Sequence, residues 1–322
     1  MMDIKTYLIE KRELIDSYLK LYFESPSSPP VLHEAMQYSL MAGGKRIRPI
    51  LALASYEACG KDPKEIIPQA SAIELIHTYS LIHDDLPAMD NDNLRRGKPT
   101  NHKVFGEAMA ILAGDALLTE AFLMMTKTNP PLPPFTKVGD TNIEPPFDKG
   151  GMGEFLDRRI KPSSLIKVIR EVALSSGASG MVGGQTQDLL SENSEPDRDT
   201  LDFIHLHKTA ALITASVRLG AILANSRKKK LRALTRYGQN IGLAFQIIDD
   251  ILDIEGKTEE LGKSAGSDRK KRKMTYPSLF GVEGARQKAT TLISAALDDL
   301  GIFLSEADPL REIARYLGKR KA

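Results

Sequence analysis

The chain has 322 residues, enough for one large domain or two ordinary ones, and its 42% of apolar side chains supports a sizeable core. A formal charge of +2, from 44 basic and 42 acidic residues, gives no reason to expect a nucleic acid or an acidic membrane surface as partner. The single cysteine, Cys59, excludes an internal disulfide and fits a reducing compartment, so the cytoplasm is the expected location.

Apolar residues recur at helical spacing and two-residue alternation is nearly absent, which predicts an all-α fold. Helices are expected at about 3–23, 32–42, 45–59, 64–84, 105–126, 163–180, 199–207, 208–225, 228–254, 278–301 and 308–319. The N-terminal helix is charged throughout and lacks the continuous apolar run of a signal peptide. Ala210 to Ala224, read as the most apolar long segment, is interrupted by Arg218 and too short to cross a bilayer. No membrane association is expected.

Taken along the chain, the first chemically suggestive string is Gly43-Gly44-Lys45-Arg46-Ile47-Arg48-Pro49. It sets Lys45 and Arg48 at an expected helix start, where backbone N–H groups also favour an anion. Next come Asp84, Asp85 and Asp90, closing the apolar helix that begins near Ala70; Pro87 stops it by removing a donor. His77 lies two turns before Asp84 on the same face. Acids at a helix C-terminus oppose the macrodipole, so a positive partner is expected. Arg95-Arg96-Gly97-Lys98 follows at once.

From Thr128 to about Lys161 the chain is rich in proline and glycine, with a near-repeat of Pro-Pro-Phe at 133–135 and 145–147. This reads as a surface insertion in a helix–helix loop, which closure entropy tolerates well. A polyproline ligand for a partner is the weaker alternative. Lys208-Thr209 then opens another expected helix, and the basic run 227–230 reads as a solvated turn.

Asp249, Asp250 and Asp253 form a second acidic cluster. Ile241, Phe245, Ile248 and Leu252 make an apolar stripe, with Gln246 and the three aspartates on the opposing face. Lys263 and Lys273 follow. Two carboxylates about 4 Å apart repel by roughly 4 kcal/mol at an effective dielectric near 20. Finding paired aspartates twice beside apolar stripes argues for a divalent cation. An all-oxygen donor set suits Mg2+ completed by water and phosphates, whereas no His/Cys spacing supports zinc. The surrounding cations match a diphosphate. No GxxxxGK[ST] loop is present, which disfavours a nucleotide triphosphatase.

With GGKRIRP, IHDDLPAMD, SGMVGGQTQDL, HKTAALI, AFQIIDDILDIEG and KMTYPSL in place, the sequence resembles the trans-prenyltransferase family, and within it the bacterial farnesyl diphosphate synthases. The likeness covers nearly the whole chain apart from the insertion. It implies the isoprenoid synthase fold, with about ten core helices around a cavity, and a homodimer acting on small-molecule diphosphates. It implies that Asp84, Asp85, Asp90, Asp249, Asp250 and Asp253 hold about three Mg2+ ions on the allylic diphosphate. Arg95, Lys208, Lys263 and Lys273 would contact that diphosphate. Lys45, Arg48, His77 and Arg96 would hold isopentenyl diphosphate, and Thr209 and Gln246 would line the path of the allylic cation.

Three departures from the family pattern stand out: Asn93 in place of an aspartate, Ala210 in place of a glycine, and the insertion. The resemblance also ties product length to the residue five positions before Asp84, here Tyr79, and to a first motif longer by two residues; both accompany C15 products. On an ideal wheel Ser80 lies more directly beneath Asp84, while Tyr79 points about 140° away. Rival readings are a geranylgeranyl diphosphate synthase, a terpene cyclase and a non-catalytic scaffold subunit. The intact second aspartate motif and GGKRIRP string speak against the last two.

Overall fold

The computed structural model describes residues 2–25, 29–127, 160–192, 195, 197–255 and 274–319. The insertion expected at 128–161 and the lysines Lys263 and Lys273 fall almost entirely or wholly outside these residues.

Helices α1 (Ile4–Tyr22), α2 (Pro30–Leu40), α3 (Ile47–Ala58) and α4 (Ile67–Asp84) build the first half. Asp3 caps α1 by accepting from the Lys5 N–H, satisfying one of the donors a helix start leaves open. A two-residue antiparallel hairpin, β1 (Leu94–Arg95) with β2 (Lys98–Pro99), follows α4. Then come the short α5 (Asn101–Phe105) and α6 (Glu107–Thr126). One helix was expected over 105–126; the chain instead breaks at Gly106, whose φ of +84° is outside helical space.

The second half comprises α7 (Pro162–Ser176), α8 (Met181–Leu190), α9 (Arg198–Ile204), α10 (Ala211–Leu223), α11 (Lys228–Glu255), α12 (Tyr276–Asp299) and α13 (Asp308–Gly318). Sequence periodicity did not show α8, because Gly183 and Gly184 depress its helix propensity. Nor do Lys208 and Thr209 open a helix: a π-helical turn at His205–Ala210 runs without interruption from α9 into α10.

α4 lies along α6, α11 along α12, and α10 is packed between α3, α7 and α11. Both sequence halves therefore share one core. This is the all-α architecture expected from the sequence. Among the described residues, α6 is the helix long and apolar enough to cross a membrane, with a mean hydropathy of 1.6. One face of α6 nonetheless packs inside the fold, where Ala110, Ala113, Leu117 and Ala121 are fully buried.

Candidate active site

The string that carries Lys45 and Arg48 is shaped by the residue between them. Arg46, in left-handed backbone at φ 51°, turns inward and is 3% exposed. Its guanidinium donates to Asp16 Oδ1 at 2.7 Å, Glu74 Oε1 at 2.8 Å and the Leu40 carbonyl at 2.7 Å. It thus clamps α1, α2 and α4 together. α3 starts only at Ile47, later than expected, and Lys45 is left exposed on the loop. Gly44, at φ +127°, has no side chain for a reason: a Cβ there would lie 2.7 Å from the Arg96 guanidinium carbon. Arg96 reaches the Gly43 carbonyl across this gap.

These cations surround His77. Burial and then Arg48, Arg96, Arg95 and Arg46, in that order, hold its imidazole well below the ordinary range, so it is neutral at pH 7. Arg48 in turn is influenced by Glu74, Asp249 and Arg96, and its Nε is buried without a hydrogen-bond partner. The structure therefore gathers Arg48, His77 and Arg96, drawn from separate strings, into one basic pocket that suits a diphosphate.

Arg95 belongs to the first aspartate cluster. Its Nε donates to both Asp85 oxygens, at 2.7 and 2.9 Å, and its Nη2 lies 2.6 Å from Asp85 Oδ1. Asp85 is 3% exposed. Burial outweighs the arginine, and Asp92 and Asp84 add to it, so the carboxyl is pushed up to about 6. Asp84 and Asp90 are half-buried and joined through the backbone, where the Asp90 N–H donates to the Asp84 carbonyl at 2.8 Å.

On α11 the aspartates differ in surroundings. Asp249 is half-buried and faces Arg48, whereas Asp250 and Asp253 are each 3% exposed. Asp250 accepts from Gln246 Nε2 at 2.9 Å and from the Tyr276 N–H at 3.1 Å, and lies 3.4 Å from His205 Nε2. The sequence pattern put it on a polar face; the structure buries that part of the face against α12. Charge neighbours now run from Asp84 and Asp85 through Arg95, His77 and Arg48 to Asp249. The two clusters thus border one region.

Thr209 and Lys208 project from the π turn, a conformation frequent at functional sites. Thr209 Oγ1 donates to Gln246 Oε1 at 2.7 Å, which commits its proton and leaves its lone pairs to face elsewhere. Lys208 Nζ donates to Asp188 Oδ2 at 2.6 Å. Asp188, 7% exposed, was not singled out by sequence reasoning. Nor were Arg46 and Glu74, although a glutamate inside the apolar run of α4 was a visible anomaly. Gly184 brings α8 against the π turn: a Cβ there would lie 2.2 Å from the Lys208 backbone nitrogen.

The polyprenyl synthetase family matches residues 29–300 of this chain. The chain belongs to that family. A geranylgeranyl diphosphate synthase of Cyanophora paradoxa is 45% identical over 320 residues, covering 99% of this chain and 97% of its own. A farnesyl diphosphate synthase of Geobacillus stearothermophilus is 45% identical over 295 residues, covering 92% of this chain and 90% of its own. The crystal structure of a Helicobacter pylori geranyltransferase, complexed with magnesium and isoprenyl diphosphate, superposes with a TM-score of 0.80 at 30% identity, covering 99% of each chain. The family member described here is accordingly a prenyltransferase.

Do the residues present fit magnesium? Among the described residues no three His, Cys, Asp or Glu side chains close a cage around one point. Mg2+ asks for no such cage: it takes one or two carboxylates, with water and substrate oxygens filling the rest. Two carboxylate groups bordering a basic region meet that demand.

Proposed function

We propose that this chain condenses isopentenyl diphosphate with dimethylallyl and geranyl diphosphates to give (2E,6E)-farnesyl diphosphate. The observation that carries the C15 product is Tyr79, five residues before Asp84. It is 6% exposed and its ring packs edge to face against His83. Burial, then Asp84, pushes the phenol up to about 12, so the ring lies within the field of the first cluster despite the wheel projection. A floor of this kind would stop an allylic chain growing beneath its diphosphate.

Asp84, Asp85, Asp90, Asp249, Asp250 and Asp253 would hold about three Mg2+ ions with the allylic diphosphate. Within that set the three contacts on Asp250 favour a supporting role for it, and Asp249 would be the direct ligand of the pair. Bound magnesium would stabilise the negative charge of the departing diphosphate. Arg95 and Lys208 would add positive charge at the same oxygens, where it counts most as the C–O bond breaks. The Thr209 oxygen, its proton held by Gln246, presents a negative dipole to the allylic carbon. Apolar walls keep out water that would quench the cation. Lys45, Arg48, His77 and Arg96 would hold isopentenyl diphosphate, whose double bond then attacks. The proton lost goes to the departing diphosphate, so no side chain need serve as base.

We also propose a cytoplasmic homodimer. Exposed Ile111, Leu112 and Leu123 on the outer face of α6 support a subunit contact there.

The second reading is a C20 product, favoured by equal identity to the Cyanophora paradoxa enzyme. Incubation of the purified chain with Mg2+, geranyl diphosphate and labelled isopentenyl diphosphate, with products resolved by length, decides. C15 as the main product supports the proposal, and C20 alone replaces it with the second reading. Absence of any condensation product would overturn both.

A further inference from the structure

The rings beneath the first aspartate cluster are fixed by a residue on another helix. A Cβ built on Gly114 of α6 would lie 2.1 Å from Nε2, 2.5 Å from Cδ2 and 2.9 Å from Cε1 of His83. The imidazole therefore approaches the α6 backbone, Nε2 foremost, at a distance no side-chain-bearing residue allows. The same Nε2 is 3.1 Å from the Ile111 carbonyl, a contact in which the ring nitrogen carries the proton and donates. Asp115 Oδ1 stands 3.9 Å from it. The ring also meets Tyr79, one helical turn back on α4, with centroids 5.7 Å apart at 81°. Edge-to-face packing of this kind favours one ring orientation over others. Gly114, His83 and Tyr79 thus form a column in which each member sets the position of the next.

We propose that Gly114 and His83 are specificity-determining residues: Gly114 makes room for the imidazole, and the imidazole holds Tyr79 where it ends chain growth. This rests on the reading in which Tyr79 closes the allylic pocket. A methyl group at position 114 expels the imidazole from its seat and breaks its bond to the Ile111 carbonyl. Tyr79 then loses the partner that fixes its ring, and the allylic chain gains depth. Neither His83 nor Gly114 needs to touch substrate for this, so both act as positioning residues.

The C20:C15 product ratio tests the proposal in the full-length protein with Mg2+, geranyl diphosphate and isopentenyl diphosphate. Read at equal, low substrate conversion, the ratio reports the partition between release and further elongation, so a fall in folded enzyme leaves it unmoved. Gly114→Ala should raise the ratio at least roughly tenfold, a difference of about 1.4 kcal/mol between two competing barriers. His83→Ala should move it in the same direction. The double variant should go no further than either single one, because both act through the same ring. A wild-type ratio in Gly114→Ala alongside a raised ratio in Tyr79→Ala overturns the positioning role and leaves Tyr79 as the floor. A wild-type ratio in Tyr79→Ala overturns the floor and the positioning role with it. Should Gly114→Ala fail to fold, His83→Ala decides: a raised ratio supports the proposal and an unchanged one overturns it.

Discussion

Lys208 Nζ donates to Asp188 Oδ2 at 2.6 Å, joining the π turn to the second turn of α8. The lysine has four rotatable methylenes and would otherwise sample many positions, so a buried carboxylate on a rigid helix fixes where its charge acts. Hydrogen bonds to charged groups contribute about 1.5–3 kcal/mol, so Asp188→Asn should lower kcat roughly ten- to a hundredfold. Asp188→Glu should recover part of it. The KM for isopentenyl diphosphate should stay within about twofold, since the cations assigned to it stand on other elements. Steady-state kinetics with each substrate varied would check this, and an unchanged kcat in Asp188→Asn would remove the residue from the site.

The Arg95–Asp85 pair makes a prediction with a definite sign. Burial raises the Asp85 carboxyl to about 6 from a model-compound value of 3.8, so between those values the folded chain holds more protons than the unfolded one. Stability contributed by this group therefore falls as pH rises through that window, by up to about 3 kcal/mol, and the penalty is fully present above it. Urea unfolding of metal-free protein at pH 5 and 7.5 should show wild type losing stability relative to Asp85→Asn at the higher pH. Magnesium with a diphosphate should shrink the difference. A gap independent of pH would refute the assignment.

Much of this site is legible in the sequence alone. Two aspartate clusters in apolar helices, and cations placed just after them, are local patterns, and period-3.6 spacing located most helices. What could not be read depends on contacts between distant segments. Arg46 looks like Lys45 and Arg48 in the sequence, yet only the approach of Glu74 from α4 and Asp16 from α1 turns it inward. The π turn has no local signature, and α8 was hidden by two glycines, of which Gly184 is required by its packing on Lys208. Asp250 and Asp249 are adjacent in sequence; the arrival of Tyr276 beside one of them makes them unlike.

That difference can be measured. Asp250→Ala strands the Tyr276 N–H and Gln246 amide in a buried setting, which should cost about 2–4 kcal/mol of stability in the absence of metal. Asp249→Ala should change metal-free stability by less than about 1 kcal/mol. It should instead abolish the rise in Tm on adding Mg2+ and a diphosphate, because ligand stabilisation follows affinity for the folded state. Thermal unfolding of both variants, with and without ligands, separates the two roles. The reverse pattern would exchange them.

Leu112 and Leu123, 52% and 54% exposed, lie on the same outer face of α6. If this face joins two subunits, Leu112→Glu with Leu123→Glu places unpaired charge in an apolar contact and should halve the mass seen by light scattering after gel filtration. Helix content by circular dichroism should be retained, since neither side chain is in the core. A wild-type protein that elutes as a monomer contradicts the dimer outright.

Arg46 offers the sharpest separation of structural from substrate-binding cations. It is 3% exposed and Glu74, which it pairs, is 2% exposed. Removing one partner of such a pair leaves an uncompensated buried charge, so Arg46→Met should cost about 3–5 kcal/mol. Replacing both, Arg46→Met with Glu74→Met, should recover much of that loss, although the Leu40 carbonyl and Asp16 remain without their donor. Arg48→Met, by contrast, should leave stability nearly unchanged or improve it, because desolvation and Arg96 already disfavour the Arg48 charge. Its effect should appear as a raised KM for isopentenyl diphosphate. Denaturant titrations and kinetics on the same preparations read both quantities. A large stability loss in Arg48→Met with an unchanged KM would reverse the roles given to these two arginines.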